Sequence, residues 1–296
     1  MSDDTPTSAS PERPTPEIER SGFVTLAGRP NVGKSTLLNA LCGRKVSIVS
    51  DKPQTTRFPV RGVVNRNGVQ LVFVDTPGLH KPVSALGESV NRAALDSLDG
   101  VDVACLVIDA TAPFGGGDRW VAERLPKDLV VVVNKVDRAK PAQIAEQLSA
   151  TSALSASAYF AVSARTGDGV ADLLDHLASR MPPGPQYFPL DMHTDLPDES
   201  WVAELVREQL LAVTRDELPY SIATRVTEWE GRRIRVEIIV ERESQKGMVI
   251  GKGGSVLKQA GERARAQLPE GTFLELFVRV DKDWQHRPDR VARLGY

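Results

Sequence analysis

From Phe23 to about Met181, short β-branched apolar runs alternate with stretches of helical periodicity. Residues 23–28 (FVTLAG) read as a strand and 34–43 (KSTLLNALCG) as a helix. Residues 63–75 (VVNRNGVQLVFVD) read as two strands joined at Asn67-Gly68, because Asn-Gly supplies the two positive φ angles of a tight hairpin. Residues 101–110 (VDVACLVIDA) and 128–135 (DLVVVVNK) are continuous apolar runs, the pattern of strands covered on both faces. Residues 158–164 (AYFAVSA) form another strand, and 169–181 (GVADLLDHLASRM) an amphipathic helix. Strands alternating with helices predict an α/β domain with a mostly parallel sheet and one antiparallel edge.

The pattern changes at residues 182–200 (PPGPQYFPLDMHTDLPDES), whose prolines and turn residues predict a linker. A helix follows over 201–217, with apolar residues at Val202, Leu205, Val206, Leu210 and Val213. Two alternating strands then flank a turn at Gly231. Residues 247–268 read as a short helix, a glycine turn and a longer helix, and 272–284 as a last strand. The order is helix, strand, strand, helix, helix, strand. The expected organisation is a disordered leader over 1–20, a first domain over 21–181, a linker over 182–197 and a second domain over 198–296.

Composition narrows the class. At 296 residues the chain is long enough for two ordinary domains. A formal net charge of -2 does not point to nucleic acid, so any such surface is local. The two cysteines, Cys42 and Cys105, are too few for a disulfide framework and fit a reducing cytoplasm. The polar, proline-containing leader has no apolar stretch and is no signal peptide. No apolar run approaches the roughly 20 residues that span a bilayer.

The chemistry begins at Gly28-Arg29-Pro30-Asn31-Val32-Gly33-Lys34-Ser35, which fits GxxxxGK[ST] between a predicted strand and a predicted helix, with Thr36 continuing that helix. Backbone N–H groups and the helix N-terminus suit phosphate. Lys34 brings a cation to the β- and γ-phosphates, and the Ser35 hydroxyl is a magnesium ligand. Asp75-Thr76-Pro77-Gly78 ends the third strand. There Asp75 can hold a magnesium-bound water and the Gly78 N–H can sense the γ-phosphate. Asn134-Lys135-Val136-Asp137 follows a buried strand. Asp137 can accept from N1–H and the 2-amino group of guanine, donors that adenine lacks, for a discrimination on the order of several kcal/mol. Lys135 can cover one face of the base, and Asn134 can tie the base loop to the phosphate loop. Ser163-Ala164-Arg165 follows the last strand, with the Ala164 N–H as a donor to guanine O6.

Together these residues resemble the P-loop GTPase superfamily, over roughly 21–181. The resemblance identifies Gln54-Thr55-Thr56-Arg57 as the switch I element of the translation-factor-related members. It assigns Thr56 to magnesium and the γ-phosphate, with Thr55 as the alternative. Ras-like members carry a water-orienting glutamine after the DxxG motif. Here the position is Leu79, which cannot hydrogen-bond water, so slow intrinsic hydrolysis is expected. Related GTPases with asparagine at the Asn31 position bind potassium as a counterpart of an arginine finger. The other reading is that Asn31 only shapes the loop.

In the second half, Ile250-Gly251-Lys252-Gly253-Gly254 lies between two predicted helices, where the KH module clamps a nucleic-acid backbone with a GxxG loop. Ile250 and neighbouring strand residues are the expected apolar floor. From Lys246 onward there are ten Lys and Arg against six Asp and Glu, a local excess of 10 − 6 = +4. Trp284 reads either as a base-stacking residue or as packing.

GRPNVGKST, QTTR, DTPGLHKP, NKVD, VIGKGGSVLK and the terminal LGY together resemble the Era family of bacterial ribosome-assembly GTPases. The resemblance implies an α/β P-loop GTPase domain with a mostly parallel sheet, followed by an α+β type II KH domain. It implies GTP/GDP and Mg2+ as ligands, with K+ at Asn31 open. The implied partners are 16S ribosomal RNA near its 3′ end and the small ribosomal subunit. A monomer is expected, cytoplasmic, with peripheral contact to the inner membrane. The extended leader and the PFGGGDRW segment after the fourth strand depart from the family pattern, and neither is expected to touch a nucleotide contact. Two other readings compete with an RNA-binding switch: an enzyme whose KH-like domain only scaffolds, and a membrane or cell-division interaction protein.

Overall fold

A computed structural model describes residues 17–78, 84–97, 100–214 and 218–296. Its first half is a six-stranded sheet in the order β2-β3-β1-β4-β5-β6. The strands are β1 (Arg20–Ala27), β2 (Val60–Arg66), β3 (Val69–Asp75), β4 (Val103–Asp109), β5 (Val130–Asn134) and β6 (Ala158–Ala161). Only the β2/β3 pair is antiparallel, and its turn residues Asn67 and Gly68 have φ of 51° and 74°. Among the described residues α1 (Lys34–Cys42), α3 (Gly116–Ala122), α4 (Pro141–Thr151) and α5 (Val170–Arg180) cover the sheet, while α2 (Ala85–Asp96) packs Leu86 and Val90 against Trp284 and Val291 of the second half.

The continuous apolar runs explain the two layers. Along β4 and β5, Cys105, Val107, Val130 and Val132 pack with Leu37, Leu38, Leu173 and Leu177 of α1 and α5. The alternate residues Ala104, Leu106, Ile108, Val131 and Val133 pack on the other face with Val121 and Leu125. Each buried Val or Leu contributes about 1.5–3 kcal/mol relative to exposure, so both faces must be apolar.

The second half comprises α6 (Asp198–Val213), α7 (Leu218–Ser221), β7 (Ala223–Glu230), β8 (Arg233–Val240), α8 (Glu243–Ile250), α9 (Ser255–Arg265), β9 (Phe273–Val280) and α10 (Pro288–Arg293). β7 and β8 are antiparallel, whereas β8 and β9 are parallel, so the chain must cross over between them through α8 and α9. Val202, Val206 and Leu210 of α6 share a core with Ile234, Val236, Ile238, Ala260 and Ala264.

Two expectations change and one open alternative closes. Pairing begins earlier than the leader boundary: Arg20 opens β1 beside Val69, and the Glu19 N–H donates to Gly68 O at 2.9 Å. The segment 182–197 is not a free connector but a strap running from the start of β1, past Gln70 of β3, to the edge strand β2. It forms bridges Arg20↔Pro183 and Gly62↔Thr194. Buried Gln70 accepts from Tyr187 and Phe188 N–H (2.8 and 2.9 Å) and donates to Phe188 O (2.9 Å). On the edge strand itself the Val63 N–H donates to His193 O at 2.9 Å, so the strap caps the β2 backbone at this point. Finally, the tail forms α10. Trp284 is 0% exposed and donates from Nε1 to Ser221 O at 3.0 Å, which makes it a packing residue and removes it from base stacking.

Candidate nucleotide site and RNA interface

The phosphate loop is shaped by close approach. A Cβ on Gly28 would lie 2.3 Å from Val107 O, and one on Gly33, at φ 96°, would lie 2.4 Å from Asn134 Nδ2. Lys34 starts α1 and turns its ammonium back onto Gly28 O and Arg29 O, at 3.1 Å each. Burial pushes its pKa down to about 8, opposed by the charge of Asp75. Thr36 lies beside Ser35 in the wall of the same cleft, with Pro30 and Asn31.

Asp75 is fully buried at the end of β3 and gathers three hydroxyls at its Oδ2: Ser35 at 2.7 Å, Ser47 at 3.2 Å and Thr56 at 3.3 Å. Burial raises its pKa, which Lys34 and the hydroxyls oppose. Ser35 Oγ and Thr56 Oγ1 are 3.0 Å apart. Thr55 lines the same cleft, but its hydroxyl donates to Lys52 O at 2.7 Å. Asp75 Oδ1 is buried with no hydrogen-bond partner among the described residues. Hard oxygen donors around an orphaned carboxylate oxygen fit Mg2+. Ser47 was not singled out from the sequence, since a serine in a loop carries no pattern. Thr76 donates to Leu26 O at 3.0 Å, and a Cβ on Gly78, beyond Pro77, would sit 2.9 Å from Pro30. Leu79 lies outside the described residues.

The guanine-side residues converge from two strand ends. Asn134 donates to Val32 O at 2.9 Å, tying the two loops, and Lys135, at φ 68°, reaches Asn31 O (2.5 Å) and Asp109 Oδ2 (2.7 Å). Burial works against the charge on Asp109, but Lys135 and Thr111 hold its carboxyl below the usual range. The Val136 N–H donates to Val162 O at 3.2 Å. Asp137 accepts from Ser163 Oγ at 2.7 Å and pairs with Arg165 at 2.6 Å. The Ser163 hydroxyl and the Arg165 charge hold its carboxyl below the usual range. One detail differs from expectation. The Ala164 N–H, expected as a donor to guanine O6, donates here to Asn134 Oδ1 at 3.0 Å.

The PFGGGDRW segment also departs from expectation, because it does touch the phosphate loop. Arg29 Nε donates to Asp118 Oδ1 at 2.7 Å, and Asp118, 1% exposed, accepts the Gly115 N–H at 2.9 Å through its other oxygen. Asn31 donates from its side-chain amide to Asp51 O at 2.9 Å.

In the second half, Gly251, Gly253 and Gly254 have φ of 74°, 60° and 79°, conformations that disfavour any side chain. Lys252 is exposed at the tip. From Gly254 a cleft of about 400 Å³ runs between α9 and β9, floored by Leu257, Leu274 and Leu276 and flanked by Lys258 and Arg265. Ile250, expected in the floor, is not among its lining residues.

A family model described as 50S ribosome-binding GTPase matches residues 23–135, and a KH domain model matches 217–285. A protein from Mycobacterium avium called GTPase Era is 46% identical over 295 residues, covering 94% of this chain and 99% of that one. Its counterpart from Mycobacterium tuberculosis strain H37Rv is also 46% identical, covering 93% and 98%. A crystal structure of Era in complex with MgGDPNP and nucleotides 1506–1542 of 16S ribosomal RNA superposes with a TM-score of 0.88 at 38% identity, covering 94% and 99%. An Aquifex aeolicus Era variant bound to GDP and AlF4− matches with the same TM-score of 0.88 and identity of 38%. Near full-length identity at this level, over both halves, shows that the chain belongs to the Era family of GTPases.

Proposed function

We propose that this chain is a GTP-hydrolysing switch that binds 16S ribosomal RNA near its 3′ end through its KH half and assists assembly of the 30S subunit. The observation that carries this reading is one chain holding both sites. The hydroxyl and carboxylate cluster at Ser35, Thr56 and Asp75 supports the first, and the glycine loop opening on an apolar cleft supports the second. The relative of known structure binds MgGDPNP and 16S ribosomal RNA together.

Phosphoryl transfer needs positioning and charge stabilisation. In this reading Lys34 leaves the loop carbonyls and binds the β- and γ-phosphates. Ser35 and Thr56, gathered at Asp75, would hold the magnesium ion, with Asp75 supporting it through a water. When bound, the metal neutralises charge developing on the phosphate oxygens. The Gly78 N–H meets the γ-phosphate. Asp137 exchanges Arg165 and Ser163 for the guanine donors, and Ala164 releases Asn134 to reach O6. With Leu79 unable to order water, hydrolysis is slow until another group supplies that function. Asn31 Oδ1 would be one ligand if K+ binds here; the other reading is that Asn31 only shapes the loop, and equal rates in potassium and sodium would favour it.

In this reading the protein is a cytoplasmic monomer with a peripheral fraction at the inner membrane. Among the described residues no helix is long and apolar enough to cross a membrane. Crosslinking to ribosomal RNA with a GTP analogue against GDP tests the reading. Gly253→Asp should abolish the GTP-dependent crosslink while a deletion of the leader leaves it. An unchanged crosslink in Gly253→Asp sinks the RNA assignment.

A further inference from the structure

We propose that Arg207, on α6 in the KH half, is a positioning residue for GTP hydrolysis in the other half. It grips the carbonyl of Thr55 and thereby fixes Thr56 against Ser35 and Asp75. This rests on the reading of Thr56 given above.

Arg207 is 0% exposed, and its fork is aligned by Glu204, with Nε to Oε1 at 2.7 Å and Nη2 to Oε2 at 2.5 Å. From that fixed position Nη2 donates to Thr55 O. The carbonyl of Thr55 shares a rigid peptide plane with the N and Cα of Thr56. Holding the one therefore sets where the hydroxyl of the other projects. The next residue is anchored from the same side, since Arg57 donates to Ile222 O at 2.7 Å and its guanidinium lies 5.4 Å from the Tyr296 ring. Upstream, Glu208 of α6 accepts the Val49 N–H at 2.9 Å. The loop that presents Thr56 is thus held by KH-half groups on both sides of the threonine. A misplacement of about 1 Å in a reacting geometry costs on the order of a hundredfold in rate. A buried arginine paired with a carboxylate at the loop's backbone is a means of preventing that drift. It also makes hydrolysis sensitive to whatever moves α6.

The test uses the full chain. Arg207→Ala leaves Glu204 buried and unpaired, so the neutral double variant Arg207→Gln with Glu204→Gln is measured beside Arg207→Lys, whose single ammonium cannot reproduce the fork. Both should lower kcat at saturating GTP by about tenfold or more, with GDP affinity within about twofold of wild type. The magnesium concentration for half-maximal rate should rise several-fold. An unchanged kcat and magnesium requirement in the double variant overturns the proposal. So does a GDP affinity that falls as far as kcat, because Arg207 would then only stabilise the fold. Thr56→Ala separates the layers. If that variant keeps its rate, the Thr56 reading fails; if it loses its rate while the Arg207 variants keep theirs, only this inference fails.

Discussion

Asp118→Asn isolates the contact between α3 and the phosphate loop. The wild-type carboxylate serves two donors, Arg29 Nε at 2.7 Å and Gly115 N–H at 2.9 Å. An amide has one acceptor oxygen and one donating nitrogen, so one bond is lost and an N–H is turned toward an N–H. A hydrogen bond to a charged group contributes about 1.5–3 kcal/mol. The Arg29 side chain is 35% exposed, so water replaces part of what it loses. The net loss is then about 1–2 kcal/mol. Arg29 O also accepts the Lys34 ammonium, so the disturbance reaches the phosphate cradle. At about 1.4 kcal/mol per tenfold, the upper bound is roughly a thirtyfold loss in nucleotide affinity, and about three- to tenfold is expected if part is taken up as lower stability. GDP and a non-hydrolysable GTP analogue should weaken by the same factor, because the loop cradles phosphates common to both. Titration of a fluorescent GDP, with urea unfolding as a companion, measures both parts. A variant with wild-type affinity and wild-type stability refutes the argument.

Lys34 gives a pH signature. Its folded pKa is about 8 against an ordinary 10.5, so between those values the unfolded chain binds more protons. The stability of the nucleotide-free protein from this group therefore rises as pH climbs from about 8 toward 10.5. A urea-midpoint difference between wild type and Lys34→Met that stays flat over that window contradicts it. Gln70→Ala strips the strap of its buried anchor and leaves backbone groups unsatisfied, for a loss of about 3 kcal/mol and faster proteolytic nicking within 182–197. Unaltered nicking and stability count against the strap. Leu79→Ala should keep most of the intrinsic GTPase rate, and near-complete loss would show that Leu79 is not passive.

The parts of the fold and site that were legible in the sequence are those written in neighbouring residues. Gly28–Ser35, Asp75–Gly78 and Asn134–Asp137 each sit on one turn, and the strands of the parallel sheet announce themselves as unbroken valine runs. What escaped was decided by long-range polar pairing, which has no period. Asp118 looks like a loop aspartate until the fold sets it against Arg29, 89 residues away in sequence. Arg207 looks like the wet face of a helix until α6 packs on the switch I loop. The reading of 182–197 as a linker followed from its prolines, but its hydrogen bonds go to the start of β1, the buried Gln70 amide and Val63 of β2, which composition does not reveal. The last helix was hidden because six residues are too few to establish a helical repeat.

The strap also limits travel. Chain bridged at Thr194 has only residues 195–197 before α6 begins. At no more than about 3.6 Å per residue, that leash lets the start of α6 move roughly 10 Å from its mooring. Any larger swing of the KH half must first unzip the strap, freeing the Val63 N–H of β2 and stripping buried Gln70 of its three backbone partners. Wide rotation is therefore set against the burial of a glutamine amide in the first half: the further the second half travels, the more of that buried polar group goes unpaired.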